Sequence, residues 1–424
     1  ISWRSGCRRR DEAYRSVMDA LVGAVFLVVY VGMILGRIPG LALDRTGLAL
    51  LGAIVLLAFG RVDTSDLSAA VDIPTIALLF GLMVVSVQFR LSGFYSRIVR
   101  WTDGLRLTPP ALLALIVLTT ALLSAVLVND IICLAMTPVV IEICCRRGLD
   151  PKPYLLGLAC SSNIGSAATL IGNPQNILIG QVLHLSFAQY LLESAVPVAV
   201  SLLLLWLIIV LQFRRRWERE AEPVPAADAP SFSGWQTGKG VFVTLGLVFV
   251  FLAGTWPREL VALAAAGVLL TSRRMRSREL LGLIDWQLLV LFISLFIVNF
   301  ALRESGQLAA IVGGLAGEGV DLSRPGWLFT ASLLLSNLVS NVPAVMLLLP
   351  TATHPFAGPI LALTSTLAGN LLVVGSIANI IVLEQAKRHG VAISWKEHSR
   401  TGVPVTLATL AVAALWLWFL AGLV

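Results

Sequence analysis

Long apolar runs alternate along this chain with short polar breaks. Runs able to cross a bilayer, which takes a helix about 20 residues and fewer where protein surrounds it, lie at 20–35, 46–59 and 73–89. An amphipathic, arginine-bearing stretch over 93–107 leads into an apolar run from Pro110 to Cys145, interrupted by Asn129-Asp130, Thr137-Pro138 and Glu142. That run is too long for one crossing, so a hairpin is predicted over 110–145. Two apolar pieces, 154–162 and 171–183, flank a Gly/Ser/Asn-rich break and predict a broken helix over 154–183. A clean span follows at 190–211.

Residues 213–240 are charged, proline-bearing and without helical periodicity, which reads as a solvent-exposed linker. Beyond it the plan repeats. Asp72, Arg90, Ser92 and Gly93 match Asp285, Arg303, Ser305 and Gly306 at an offset of 213, and Ser124, Asn129 and Pro138 match Ser336, Asn341 and Pro350 at 212. Asn163 and Pro197 match Asn370 and Pro404 at 207, while Gly172 and Asn176 match Gly375 and Asn379 at 203. The expected fold is an all-α polytopic membrane protein of two inverted repeats. Each repeat has five crossings, one of them a broken helix, and one re-entrant hairpin, which makes about ten transmembrane helices. The expected boundaries are a basic N-terminal segment (1–16), a first repeat (17–212), the linker (213–240), and a second repeat (241–424) with its hairpin at 325–350 and broken helix at 361–386.

Composition agrees: 57% of residues are hydrophobic and 13% charged, which excludes an ordinary soluble globular protein. The net charge of +7 sits in short clusters between apolar runs and therefore marks topology, not a nucleic-acid surface. With the linker in the cytoplasm, the loops bearing Arg37 and Arg45, Arg97 to Lys152, Arg273 to Arg278, and Lys387 to Arg400 also fall inside. Both ends of the chain are then periplasmic. The cluster Arg8, Arg9 and Arg10 dissents and is outvoted by the other loops. The five cysteines have no metal-ligand spacing, and His184, His354, His389 and His398 fall near predicted loops without forming a cluster.

Asp130, in SAVLVNDIICLAMTP, is an acid inside an apolar hairpin and is expected to carry function, because ionisable groups at membrane depth are costly. A surface turn is the alternative. Against it, the twin segment SNLVSNVPAVMLLLP keeps Ser340-Asn341 in place and substitutes Val342 for the acid. The break ACSSNIGSAATLIGNPQNILIG carries Ser162, Asn163, Gly165, Thr169, Asn173 and Asn176, and its twin carries Asn370, Ser376 and Asn379. Unwound backbone at membrane depth is tolerated only where it lines a cavity. Half-helix ends offer N–H groups to anions and carbonyls to cations, so these residues, with Asn129, Ser340 and Asn341, are the expected substrate pocket. Asp130 is the expected proton or cation coupling site, with room for a sodium ion near Asn129, Asp130 and Asn163. No other cofactor or metal is indicated. Asp72 and Asp285 read as helix caps, and Arg90 and Arg303 as snorkelling ends.

At these residues the sequence resembles the ion transporter superfamily, which includes citrate and divalent-anion carriers, arsenite permeases and a group of sodium/proton antiporters. The hairpin-tip pattern Ser-Asn-Thr, with proline nine residues after the asparagine, stands here as Val128-Asn129-Asp130 with Pro138 and as Ser340-Asn341-Val342 with Pro350. The missing tip hydroxyls depart from the dicarboxylate binders. The Asn-Asp tip and the segments TLIGNPQNILI and VVGSIANII are similar to the arsenite-permease and antiporter branches, and most of all to small uncharacterised bacterial inner-membrane permeases. The resemblance implies a scaffold and a moving transport domain made of the hairpins and broken helices. It also implies a homodimer and alternating access by an elevator-like slide.

The leading expectation is therefore a proton- or sodium-coupled carrier of a small ion or anion, whether inorganic oxyanion, arsenite or carboxylate, with sodium/proton antiport as the alternative. A passive channel is a third reading, suggested by Asn173-Pro174-Gln175, although Ser376-Ile377-Ala378 lacks those residues. An enzyme is not expected, because the central serines have no histidine or lysine at comparable depth.

Overall fold

A computed structural model describes residues 2–36, 42–214, 216–218, 231–254, 256–272 and 275–421, with side chains except at 2–16, 99, 100, 102 and 103. Most of the linker, Arg37, Arg273 and Arg274, and the basic side chains of the N-terminal segment lie outside the described set. The first half runs α1 (Ser2–Leu35), α2 (Arg45–Ala58), α3 (Leu67–Ala70), α4 (Ile73–Leu91), α5 (Phe94–Asp103), α6 (Pro109–Val126), α7 (Asn129–Arg146), α8 (Pro151–Ser166), α9 (Pro174–Val182) and α10 (Phe187–Phe213). The second runs α11 (Gly234–Ala253), α12 (Arg258–Leu270), α13 (Ser277–Leu281), α14 (Trp286–Glu304), α15 (Gln307–Gly317), α16 (Pro325–Val339), α17 (Asn341–Leu348), α18 (Ala357–Ala368), α19 (Ile377–Arg388) and α20 (Trp395–Ala421). Each of the first ten helices has its counterpart ten places later. The described residues hold no strand; Leu149 and Glu218 form an isolated bridge.

This is an all-helical, multi-pass membrane protein. Among the described residues seven helices, α1, α4, α6, α10, α11, α14 and α20, are long and apolar enough to cross a membrane. The remaining expected crossings are assembled from shorter pieces. At 14 and 13 residues, α2 and α12 span only about 20 Å at the rise of an α-helix. Local chemistry sets the ends: Asp72 accepts from Thr75 N at 2.9 Å and Asp285 from Leu288 N at 3.0 Å, so both acids serve as N-caps of α4 and α14.

The linker expectation needs two corrections. Helix α11 begins at Gly234, so the last residues of 213–240 are helical; Gln236 is buried there and receives hydrogen bonds from Gln88, a tertiary contact that overrides a glycine-rich sequence. At the other end Trp217 is buried, stacks near Tyr154 with ring centroids 5.7 Å apart, and its carbonyl accepts from Asp150 N at 2.9 Å. A solvent-exposed reading could not see that partner. Similarly, the second broken helix starts earlier and ends later than 361–386, at 357 and 388.

Two sets of helices pack most heavily among themselves, with α4, α1 and α14 also touching helices of the other set. In one, α12 lies on α4 and α14 on α2, with α1 and α11 alongside; in the other, α6 lies on α8, α16 on α18, α19 on α7 and α10 on α20. The crossings within the first body are close: a Cβ on Gly81 would sit 2.7 Å from the Ala262 backbone.

Candidate functional site

The two breaks are closed in the same way, although only the first carries a proline and a side-chain cap. In α9, Pro174 occupies the first turn, where its missing N–H costs nothing, and Asn173 caps it by accepting from Asn176 N at 2.9 Å. The preceding half-helix would leave carbonyls exposed at membrane depth, and one asparagine in each half covers them. Asn176 Nδ2 donates to Thr169 O at 3.1 Å and Ser166 O at 3.5 Å, and Asn379 Nδ2 donates to Gly369 O at 2.7 Å and Leu372 O at 3.2 Å. Each acceptor lies 203 residues beyond its counterpart, as do the asparagines. Gly172 permits the crossover, since a Cβ there would lie 2.4 Å from Ser166 O and 2.6 Å from Ser124 O.

The two breaks meet at a shared amide pair. Asn163 Nδ2 donates to its repeat counterpart Asn370 at 2.8 Å and to Asn379 Oδ1 at 3.2 Å, while Asn163 Oδ1 accepts from Ser376 Oγ at 2.9 Å and from Asn129 Nδ2 at 3.5 Å. Asn163 thus joins one hairpin tip to both breaks. Thr366 does the same from the other side: it accepts from Asn173 and Gln175, both at 3.2 Å, and donates to Asn176 Oδ1 at 3.3 Å. All these side chains are buried.

The hairpin tips close the centre from either side. Asn129 N donates to Gly172 O at 3.1 Å, Val128 N to Ser86 Oγ at 3.0 Å, and Ser162 Oγ to Asn129 O at 3.4 Å. In the second tip Asn341, with its amide nitrogen turned to the carbonyls as its neighbours require, donates to Ser365 O at 3.0 Å and Gly375 O at 3.1 Å and accepts from Gln175 at 3.3 Å. Ser340 turns that tip with φ +77° and ψ 162°. Several buried polar atoms here have no protein partner, among them Asn129 Oδ1, Asn370 Nδ2, Asn337 Oδ1 and Ser365 Oγ. Unsatisfied acceptors and donors at one buried centre are what a polar ligand would complete.

Three expected site residues sit differently from their sequence reading. Asp130 is buried in the first turn of α7, yet no hydrogen bond or ion pair among the described residues joins it to the amide cluster. Successive residues of a helix face about 100° apart, so Asn129 facing the breaks turns Asp130 away from them. Gly165 does not line the centre openly: a Cβ there would lie 2.3 Å from the Ala121 backbone, so the position is used to bring α8 against α6. Thr169 Oγ1 is occupied by Ala125 O. Sequence reasoning also missed residues. Thr366 lies in the hydroxyl run LTST just ahead of the second break, a signal present in the sequence. Tyr190, whose hydroxyl donates to Ala167 O at 2.8 Å, and His398, fully buried with Nε2 3.3 Å from Asn370 O, gave no such signal.

Two cavities approach the centre. One, of about 880 Å³, is lined by Arg45, Gln287, Glu384, Lys387 and Trp395 and reaches Val373 and Ile377 beside the second break. The other, of about 540 Å³, is lined by Asp72, Asn299, Arg303 and Met346 and reaches Leu178 of α9. The described residues contain no cluster of three His, Cys, Asp or Glu side chains fit for a transition metal.

Known proteins resemble this chain. A transporter from Mycobacterium tuberculosis, itself named as uncharacterised, is 30% identical over 88% of this chain and 94% of its own length. The silicon efflux transporter LSI3 of Oryza sativa is 27% identical over 94% of this chain and 98% of its own. The crystal structure of the YdaH transporter of Alcanivorax borkumensis superposes with a TM-score of 0.58 at 15% identity, covering 96% of this chain and 98% of that one, so the fold is shared. The model of the citrate transporter family CitMHS matches residues 30–359, and the chain belongs to that family of transporters.

Proposed function

We propose that the chain is a cation-coupled secondary transporter that carries a small oxyanion or hydroxylated acid through the amide centre between the two breaks. The observation that carries the reading is the buried cluster of Asn129, Asn163, Asn370 and Asn379, in which Asn129 Oδ1 and Asn370 Nδ2 have no partner. One offers an acceptor to a cation or hydroxyl, the other a donor to an oxygen. Asn129 Oδ1 and the carbonyls at the breaks are hard oxygen donors of the kind that sodium takes, and Asn129 and Asn163 would hold it. Asp130 stands beside this site and takes the proton or cation whose binding removes its charge while it crosses. The silicon carried by the rice relative is compatible with a centre made of amides and hydroxyls, as is arsenous acid; inorganic oxyanions and carboxylates remain in the class through the helix ends.

The packing of α6–α10 and α16–α20 as a body apart from α1, α2, α4, α11, α12 and α14 supports alternating access by sliding of the first against the second. The two repeats are inverted, the linker is cytoplasmic in a bacterial inner membrane, both termini are periplasmic, and the set of α1, α2, α4, α11, α12 and α14 forms the contact of a homodimer. Sodium/proton antiport is the second reading, favoured by Asp130 having no cationic partner among the described residues. Purified protein in liposomes with an internal pH dye tests both. Addition of silicic acid, arsenite, citrate, succinate or sulfate is expected to move protons, or to do so only with sodium present, and flux should saturate. Proton movement with sodium alone selects the antiporter. Flux that neither saturates nor depends on either cation overturns both in favour of a channel.

A further inference from the structure

The two bodies touch through an arginine on one side and not on the other. Arg258, the first residue of α12, donates through Nη2 to Leu185 O at 2.7 Å and Gly180 O at 3.2 Å, the carbonyls that end α9. Beside it Gln181 donates to Glu259 at 3.1 Å. Residue 45, the first of α2 and 213 places before Arg258, is also arginine. Both side chains are half-buried. Arg45 makes no hydrogen bond or ion pair among the described residues and instead lines the 880 Å³ cavity.

The end of α19, the repeat counterpart of what Arg258 holds, borders that cavity through Glu384, Lys387 and Ala392. Helix α9 closes with Leu185 N donating to Gly180 O at 3.1 Å around His184 at φ +51°; α19 closes with Val391 N donating to Ala386 O at 2.9 Å around Gly390 at φ +79°. The same C-terminal motif therefore presents Ala386 O and Val391 O where α9 presents Gly180 O and Leu185 O. Glu384, Lys387 and Ala392, flanking those carbonyls, line the same cavity as Arg45. A carbonyl at a helix C-terminus is a good seat for a guanidinium; Ala386 O already accepts from Val391 N and His389 N, so an arginine there would share it, as Arg258 shares Gly180 O with Leu185 N.

We propose that Arg258 and Arg45 are alternate latches between the two bodies: Arg258 grips the end of α9 in the conformation seen here, and in the opposite conformation it releases while Arg45 grips Ala386 O and Val391 O at the end of α19. The proposal rests on the alternating-access reading. It gives a role to two residues that otherwise resemble snorkelling ends.

The test uses the full chain in membrane vesicles with its five cysteines replaced by serine and one reporter cysteine, either Val374→Cys in the Arg45 cavity or Phe296→Cys in the other. The rate of labelling by an impermeant maleimide is the readout. Arg258→Gln is expected to slow labelling at Val374→Cys and speed it at Phe296→Cys, each by about fivefold or more, since hydrogen bonds from a charged donor to two carbonyls are lost in one state only. Arg258→Lys, which keeps the charge and loses the fork, should fall between. Arg45→Gln should shift both rates the other way, and because Arg45 makes no hydrogen bond or ion pair among the described residues it reports even if Arg258→Gln does not fold. The double variant should return toward the parent. Faster labelling at both reporters in Arg258→Gln would make Arg258 a structural tie and overturn the proposal, as would unchanged rates in both single variants. If the parent reporters respond reciprocally to substrate or sodium but ignore the arginines, only the latches fail; if they never respond reciprocally, alternating access fails with them.

Discussion

The two hairpin tips occupy matched positions and do different work. The first, at Val128-Asn129-Asp130, has ordinary backbone angles, is held by hydrogen bonds from its own N–H groups to Ser86 Oγ and Gly172 O, and carries an acid followed by an 18-residue helix. The second, at Ser340-Asn341-Val342, turns through a serine at φ +77° and is held by its Asn341 amide, and its helix runs only eight residues. Asn129 keeps an unpartnered oxygen where Asn341 has none to spare. Matched positions thus carry an unpartnered amide oxygen and an acid on one tip, and a positive φ and a fully partnered amide on the other.

Moving or removing the charge breaks this comparison most sharply. A charge at membrane depth is worth about 3 kcal/mol, or about 10²-fold in an equilibrium. Asp130→Asn is expected to lower proton- or sodium-coupled flux in the liposome assay by about that factor while leaving the thermal unfolding midpoint unchanged or raised. Val342→Asp, placing an acid at the matched position of the saturated tip, should lower the midpoint and fail to restore flux in the Asp130→Asn background. Recovery of coupling there would mean that the two tips are interchangeable.

The shared amide pair gives the next test. Asn163 satisfies four partners and Asn370 one, although they are repeat counterparts. Asn163→Ala strands buried donors and acceptors on several neighbours and is expected to cost about 3 kcal/mol of stability, against about 1 kcal/mol for Asn370→Ala, whose Nδ2 is already unpartnered. Chemical denaturation in detergent reads the difference. Equal losses would show that the network is not centred on Asn163.

Much of this was legible in the sequence because polar residues stand out against an apolar background. Asn129, Asn163, Asn173, Asn176, Asn341, Asn370 and Asn379 were picked for that reason, and the structure brings them together. What resisted was direction and partnership. Asp130 follows Asn129 by one residue, yet no hydrogen bond among the described residues joins it to the cluster. Gly165 carries the small-residue signal of both a cavity and a helix crossing, and only the Ala121 backbone decides between them. His398 falls near a predicted loop in the sequence, yet at the start of α20 it packs against the second break. Trp217 found Tyr154 from within a stretch whose composition predicted solvent. In each case the deciding contact comes from residues distant in sequence, which local pattern cannot see.

The glycines of the two breaks sharpen the comparison at a smaller scale. A Cβ on Gly172 would meet backbone carbonyls at 2.4 and 2.6 Å, which cannot move without opening the break, whereas a Cβ on Gly375 would meet the Asn337 side-chain oxygen at 2.9 Å and nothing closer. Gly172→Ala is therefore expected to lower stability by about 2–3 kcal/mol and to abolish flux, and Gly375→Ala by about 1 kcal/mol or less with flux retained. Comparable losses at both would mean that the second break is as tightly closed as the first.

The smallest expected effect concerns the strain stored in the second tip. At φ +77° and ψ 162°, Ser340 sits in a region that glycine occupies freely and L-residues avoid, at a cost of about 1–3 kcal/mol. Val128, its counterpart, has φ −61° and ψ 119°, where glycine brings only added freedom to the unfolded chain. Ser340→Gly should therefore stabilise the protein by about 1 kcal/mol, net of glycine's own entropy, and Val128→Gly should destabilise it by a similar amount or more as its buried side chain is lost. The sign, read from denaturation midpoints, is the test. If the stabilised Ser340→Gly protein also transports more slowly, the strain belongs to the working cycle, because a relaxed tip favours one conformation over the exchange between two; if transport is unchanged, the serine is retained for its hydroxyl at the rim of the amide centre.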